Sequence, residues 1–461
     1  MSETARLQRL LAEELERFVG ASPELPPAIF REVAESEVNH ALKTPDQLRE
    51  AGPAGAMLIA KLTELRRHEL IPVVSRMLRS TRMAVSSHAN APKSYADQPL
   101  FSQTTSGDVR SLKVRDDNEL LRPRALRKGD TIGVFTPASP GYVENLELFA
   151  NGLRTLERIG FRTKLGSLTA SRAHAGWRAG TAEERAAELM ELVRDPDVSA
   201  LIPVIGGNNS SSLVPFLNFE EIRRQRKLLC GYSDITSLHL SWHRFAGLSS
   251  VYGPTVMCWF GEWPDGDEAS IAAFQNATMA GNPEQQILTP PPQWSNHSRR
   301  WENGDWQRVP RQWQKNPGWT AILSGRASGR VLAVNLNTLL TAAGTPLWPV
   351  LKDRILIVED MEAGFAGTER KLRQLAMTGA FDEIAALIVS KPEFPDAKGS
   401  TMSYDDLVRE VVGMRPWPLI TNFDTGHTLP MLAIPQLVEV EVEARTQRPV
   451  SFRLLGRCVE D

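Results

Sequence analysis

An α/β protein of more than one domain is what this sequence predicts, and three features carry that expectation. From Gly129 onward short apolar runs alternate with helical stretches, the pattern of a parallel sheet covered on both faces. Beyond about Gly325 the chain becomes rich in strands. Between them, residues 228 to 237 read Leu-Leu-Cys-Gly-Tyr-Ser-Asp-Ile-Thr-Ser, an apolar run that passes through Gly231 into helical spacing. Ser233 therefore falls where a strand turns sharply into a helix. A chain of 461 residues has room for about two or three domains.

Taken in order, residues 1–85 read as a helical extension. Leu7, Leu10, Leu11, Leu15 and Phe18 share one face at helical spacing, and residues 28–42 and 56–78 are helix-like, the latter interrupted by Pro72. Such a segment suits a small bundle, a dimerisation element or a dock for a partner protein. Residues 86–125 are polar and read as a linker. An α/β domain follows over 126–275, with strands at Asp130 to Thr136, Phe161 to Leu165 and Ala200 to Ile205 and helices at Val143 to Ile159 and Thr181 to Arg194. The second helix opens on a capping box, Thr181-Ala-Glu-Glu184. Residues 276–320 form a connecting loop rich in proline and tryptophan, and 321–461 a strand-rich domain. Its strands are Ile355 to Val358, Ala386 to Ser390 and Val438 to Glu443, the last alternating apolar and acidic residues as a half-exposed strand does.

Composition excludes several functions. Lys plus Arg number 53 against 55 Asp plus Glu, so no global field draws the protein to nucleic acid or to an anionic membrane. Three scattered cysteines, Cys230, Cys258 and Cys458, are too few for a disulfide framework or a zinc ligand set and fit a reducing compartment. No run approaches 18 apolar residues, and the N-terminus is amphipathic rather than signal-like, which reads as a soluble cytoplasmic protein.

Four features bear on chemistry. Ser233 is a nucleophile or a helix cap, and the amide of Asp234 lies beside it at a helix N-terminus. The third strand runs directly into Gly206-Gly-Asn-Asn-Ser210, whose paired glycines let backbone amides approach a ligand or only make a turn. With Ser233 nearby, the Gly207 and Asp234 amides are candidates for an oxyanion hole; the Walker and dinucleotide patterns are both absent. Trp294, Trp301, Trp306, Trp313 and Trp319 either pin the connecting loop to the surface or stack on a planar ligand, with Trp301 the preferred candidate. Finally, Glu359 ends an apolar strand and His427 sits in Asn422-Phe-Asp-Thr-Gly-His-Thr428. Each alone suits a structural role, but with Ser233 they offer nucleophile, orienting acid and base in the chain order Ser, Glu, His. His239 and His243 share a helix face, but no intervening Glu or third ligand accompanies them, so packing or capping is the expected role.

Gly231-Tyr-Ser-Asp234, Val358-Glu-Asp360 and Gly426-His427 resemble the three signature blocks of the serine LD-carboxypeptidases, peptidase family S66. Thr131-Ile-Gly-Val-Phe-Thr-Pro-Ala-Ser139, Ala179-Gly-Thr-Ala-Glu-Glu-Arg185 and Gly344-Thr-Pro346 agree, and the likeness runs from about Leu126 to Leu455. Ile205 to Pro215, Tyr252-Gly-Pro254 and Gly426-His-Thr-Leu-Pro-Met-Leu432 resemble the microcin C immunity branch more than the murein tetrapeptide recyclers. The resemblance implies a flavodoxin-like first domain bearing Ser233 and a swivelling, strand-rich second domain bearing Glu359 and His427. It assigns Ser233 as nucleophile, His427 as base and then acid, and Glu359 as the carboxylate that orients the imidazole; Asn208, Trp301 and Asn335 are candidate substrate contacts.

No metal or organic cofactor is implied, since an acyl-enzyme is cleared by water. The implied substrate is a small peptide or a peptidyl or aminoacyl nucleotide-like conjugate cut near its C-terminal end, and the implied assembly a homodimer. Alternatives are a murein tetrapeptide carboxypeptidase, an acyl-transferring or cyclising enzyme, and a non-catalytic protein that binds a partner through its N-terminal helices. Two departures stand out: Ala333-Val-Asn335 replaces the Gly-Gly-Asn of many relatives, and the segment before Leu126 is not part of the usual family chain.

Overall fold

The computed structural model describes residues 109–461 apart from Ala173, Ser298, residues 300–303 and residues 362–363. The helical extension expected over 1–85 and the first part of the expected linker lie outside the described residues, as does Trp301. From residue 109 the linker segment is docked rather than free. Arg115 is buried, its Nε donating to the Phe245 carbonyl at 3.0 Å and its Nη1 to Glu119 at 2.9 Å, and the Leu121 amide donates to the Gly247 carbonyl at 2.8 Å. The polar composition that suggests a linker here supplies ion pairs to the folded domain.

Strands β1 (Thr131–Phe135), β2 (Arg162–Leu165), β3 (Val198–Pro203), β4 (Leu228–Gly231) and β5 (Val251–Tyr252) form a parallel sheet in the order β2-β1-β3-β4-β5. Helices α1 (Leu146–Arg158), α2 (Ala182–Arg194), α3 (Phe219–Gln225), α4 (Thr236–Ser241) and α5 (Glu268–Thr278) cover it. Alternation along the strands sends Ile132, Val134, Ala200 and Ile202 into one apolar cluster with α1 and α5. Phe135, Val198 and Leu201 enter another with α2, α3 and α4. Where one helix is expected from Val143 to Ile159, the chain breaks at Asn145, whose φ of −150° leaves the helical region. Its side chain accepts from the Leu148 amide at 2.9 Å and so starts α1 afresh. The capping box at Thr181 forms with both of its hydrogen bonds.

The second sheet is built from β6 (Gln286–Leu288), β9 (Thr320–Leu323), β10 (Gly325–Asn335), β11 (Ile355–Glu359), β12 (Ala386–Ser390), β13 (Leu419–Phe423), β15 (Glu439–Ala444) and β16 (Ser451–Leu454). Its order is β6-β16-β15-β10-β11-β12-β13-β9, and β10 to β13 run parallel. The long β10 pairs antiparallel with β15 through its first half and parallel with β11 through its second. Helices α6 (Leu336–Thr341), α7 (Phe365–Met377) and α8 (Tyr404–Val412) give this region more α/β character than its strand-rich sequence suggests. The connecting segment is likewise not all loop: β7 (Gln293–Trp294) and β8 (Gln314–Lys315) pair with each other, and β6 joins the second sheet.

One strand crosses over. β14 (Ile434–Pro435) leaves the second half of the chain to pair antiparallel with β5 on the first sheet. Val438, Cys458 and Val459 are buried in the first sheet's α1-side cluster. Among the described residues no helix is long and apolar enough to cross a membrane.

Candidate active site

The strand order places a switch point between β1 and β3, and ligands of such sheets bind beyond the carboxyl ends of the strands. There β4 gives way to a 3-10 turn, Ser233–Ile235, which leads straight into α4. Ser233 itself has φ +63°, a left-handed conformation that costs a non-glycine residue about 1 to 3 kcal/mol. A serine held in that region at a strand-to-helix corner has its hydroxyl forced outward.

The Gly-Gly loop closes over this corner. A methyl group on Gly206 would come within 3.4 Å of Ser233 Oγ and 3.5 Å of the Asp234 amide nitrogen. Gly207 has φ +149°, and a Cβ there would reach to 2.6 Å from the Ala138 Cβ, so no larger residue fits. The Asp234 side chain ties loop to corner by accepting from the Asn209 amide at 3.0 Å and the Ser210 amide at 2.9 Å. Burial raises its pKa and those hydrogen bonds oppose the rise.

Glu359 ends β11 in register with Asn335 on β10. Three donors converge on its buried carboxylate: Tyr252 Oη at 2.5 Å and Asn335 Nδ2 at 3.0 Å reach Oε1, and His427 Nδ1 lies 2.6 Å from Oε2. His427 arrives on a loop at Gly426, where any Cβ would collide with that carboxylate. Burial alone would lower the His427 pKa, but the charge and hydrogen bond of Glu359 outweigh it and hold the imidazole above its ordinary value. With Nδ1 donating to the carboxylate, Nε2 is the nitrogen that can take a proton.

A buried ion pair anchors the same loop. Asp424 accepts from Lys391 Nζ at 2.5 Å, Trp319 Nε1 at 2.9 Å and Asn316 Nδ2 at 3.0 Å, and both charged side chains are out of water.

Ser233 and His427 line one cavity of about 780 Å³, together with Gly206, Gly207, Asn208 and Asn335. Asn208 is exposed on its wall. Asn335, expected as a substrate contact, gives one amide hydrogen to Glu359, and its oxygen caps α6 at the Thr338 amide. The tryptophans divide: Trp306 is buried at the cavity wall, Trp319 lies in the core, and Trp313 is exposed. Sequence reading missed the paired charges of the cavity, Asp360 with Lys371 at 2.6 Å and Glu262 with Arg311 at 2.8 Å and with Arg299. No local pattern announces them, since the Glu262 partners are 37 and 49 residues away. Burial pushes the Cys258 thiol at the cavity up to about 11, which leaves it protonated and unreactive near neutrality. His239 meets Ser250 Oγ through Nδ1 and the Gly231 carbonyl through Nε2, and His243 Nε2 meets the same Ser250 Oγ, a packing role.

Models of the LD-carboxypeptidase N-terminal and C-terminal domains match residues 132–253 and 328–442. The chain belongs to peptidase family S66. This S66 chain is 35% identical over 344 residues to a putative carboxypeptidase of Vibrio cholerae, covering 74% of this chain and 99% of that protein. To the microcin C7 self-immunity protein of Escherichia coli it is 34% identical over 319 residues, 69% of this chain and 92% of that one. The structure of that immunity protein in complex with glutamyl sulfamoyl guanosine superposes with a TM-score of 0.68 at 31% identity, covering 74% of this chain and all of the other. Another structure of it holds aspartyl sulfamoyl adenosine. The protein is thus a serine peptidase-type hydrolase of the immunity-like branch, with the two-domain α/β fold of that branch.

Proposed function

We propose that the protein hydrolyses the amide that joins an aminoacyl or short peptidyl group to a nucleotide-like leaving group, through a Ser233–His427–Glu359 triad. The observation that carries this reading is the 2.6 Å contact of His427 Nδ1 with Glu359, in the wall of the cavity that also holds the left-handed Ser233. The sulfamoyl nucleosides held by the related immunity protein support the substrate class. A volume of about 780 Å³ suits a ligand of that size.

In this scheme Ser233 Oγ attacks the acyl carbon while its proton passes to His427 Nε2, and Glu359 balances the imidazolium. The oxyanion accepts hydrogen bonds from the Gly207 and Asp234 amides, worth about 10²- to 10³-fold in rate for each donor. His427 returns the proton to the leaving nitrogen, and the acyl-enzyme falls to water activated by the same imidazole.

The test is incubation of the full chain with glutamyl sulfamoyl adenosine, followed by chromatography and mass spectrometry, beside Ser233→Ala. Release of glutamate and sulfamoyl adenosine by the wild type alone supports the reading. Cleavage of a murein tetrapeptide with the nucleoside conjugate left intact would transfer the same triad to cell-wall recycling.

A further inference from the structure

Tyr252 takes no part in the scheme above, yet its hydroxyl touches two of the three residues that do. It donates to Glu359 Oε1 at 2.5 Å and accepts from the Ser233 amide at 3.1 Å. The ring is wholly buried. It is held at the end of β5, where register sets it between Gly231 of β4 and Ile434 of β14, and it meets Tyr232 edge-on with centroids 6.3 Å apart. The hydroxyl thus spans the two sheets, joining the corner after β4 to the end of β11.

We propose that Tyr252 is a positioning residue that sets the basicity of His427 through Glu359 and reserves the oxyanion for the Gly207 and Asp234 amides. The proposal rests on the triad reading of the preceding section. Two consequences of the geometry carry it. With Tyr252 Oη and Asn335 Nδ2 both on Oε1, the carboxylate cannot rotate without losing two hydrogen bonds, so Oε2 stays on His427. A short bond from a neutral hydroxyl also draws negative charge toward Oε1, which weakens the pull of the carboxylate on the imidazolium. The Ser233 amide, engaged by the phenol oxygen, points to Tyr252 instead of the cavity. Burial holds the phenol pKa well above its ordinary value, so Tyr252 remains a neutral donor across the working range of pH.

Tyr252→Phe keeps the ring and deletes the hydroxyl. The measurement is the titration of His427 in the full chain labelled with ¹³C-histidine, its resonance identified by loss in His427→Gln, beside turnover of glutamyl sulfamoyl adenosine. In Tyr252→Phe the His427 midpoint is expected to rise by about half to one pH unit, since the undiluted carboxylate holds the imidazolium more firmly. Turnover is expected to fall about tenfold with KM little changed. Incorporation of difluorotyrosine, a stronger donor, is expected to move the midpoint down, a readout available even where the phenylalanine variant folds poorly. Asn335 Nδ2 still fixes Oε1 in Tyr252→Phe, so the contact of Oε2 with His427 is expected to survive the change; a midpoint that falls in that variant, or one that does not move with either change, overturns the proposal. Intact turnover in Ser233→Ala would instead overturn the triad reading, while the midpoint shift would still decide whether Tyr252 acts on His427.

Discussion

Replacing Glu359 by Gln alters one atom and has a consequence set by the two donors already on its Oε1. Tyr252 Oη and Asn335 Nδ2 both give hydrogens to that oxygen, so only the carbonyl end of the new amide can occupy its place. The NH2 then faces His427 Nδ1, which must accept, and the ring proton moves to Nε2. An imidazole protonated at Nε2 cannot take the proton of Ser233. In serine triads the wrong tautomer costs about 10⁴ in turnover, and a loss of about 10³ to 10⁴ here corresponds to about 4 to 5.5 kcal/mol of transition-state stabilisation. The pH profile changes too: without the carboxylate, burial is the dominant influence left on His427, and its pKa falls below the ordinary histidine value. Glu359→Gln should therefore show a lower plateau and an acid limb displaced to lower pH. Initial rates of conjugate hydrolysis between pH 5 and 9, with thermal denaturation to establish that the isosteric variant folds, measure both. A variant that retained more than about a tenth of wild-type turnover, or whose acid limb moved upward, would refute the tautomer argument.

Other outcomes follow from the same geometry. Wild-type activity should rise with pH through an apparent pKa above 6.5, since His427 is raised and must be neutral to act; its proton-linked stabilisation of the fold is complete below the unfolded value near 6.5 and is lost as pH rises through the folded pKa. Ser233→Gly should abolish hydrolysis while raising stability by about 1 kcal/mol, because glycine carries φ +63° without strain; differential scanning calorimetry reads the gain. Gly207→Ala must push the loop off Ala138 and should lower kcat by about 10² with the fold intact, seen by steady-state kinetics and circular dichroism. Asp424→Asn leaves the wholly buried Lys391 unpaired and should cost about 3 to 5 kcal/mol, read by urea unfolding, with much of the loss recovered in the Asp424→Asn, Lys391→Met double variant.

Much of this architecture is legible in the chain because its signals are local. A strand, a glycine and a polar residue before helical spacing announce the corner at Ser233. Glu359 stands out because an acid directly after Ile-Leu-Ile-Val is an anomaly in a buried strand. What escapes sequence reading is pairing at a distance. Tyr252 and Glu359 are 107 residues apart, and nothing in Tyr-Gly-Pro says which acid the phenol will meet. The docked segment after residue 109 reads as linker because charges that serve as ion-pair partners look the same in one dimension as charges that face water. Asn145 hides in an otherwise periodic stretch, where a residue whose side chain competes for the Leu148 amide wins over helix continuity. The tryptophans show the reverse limit, since their clustering leaves pinning and stacking both open for each ring and the fold gives Trp306, Trp313 and Trp319 different environments.

The crossing of β14 to the first sheet has a consequence for the order in which the protein is made. Val251 and Tyr252 of β5 emerge from the ribosome some 180 residues before Ile434 and Pro435, their partners. At ordinary elongation rates that interval is about 10 to 40 s, during which β5 has an unpaired edge and the first core lacks Val438, Cys458 and Val459. The serine corner is therefore synthesised well before the histidine that would activate it, and the strand that follows that histidine is also the one that seals the nascent sheet. In the proposed triad, closure of the first sheet and completion of the site become a single late event, so a chain truncated before His427 has both an open edge and an incomplete site.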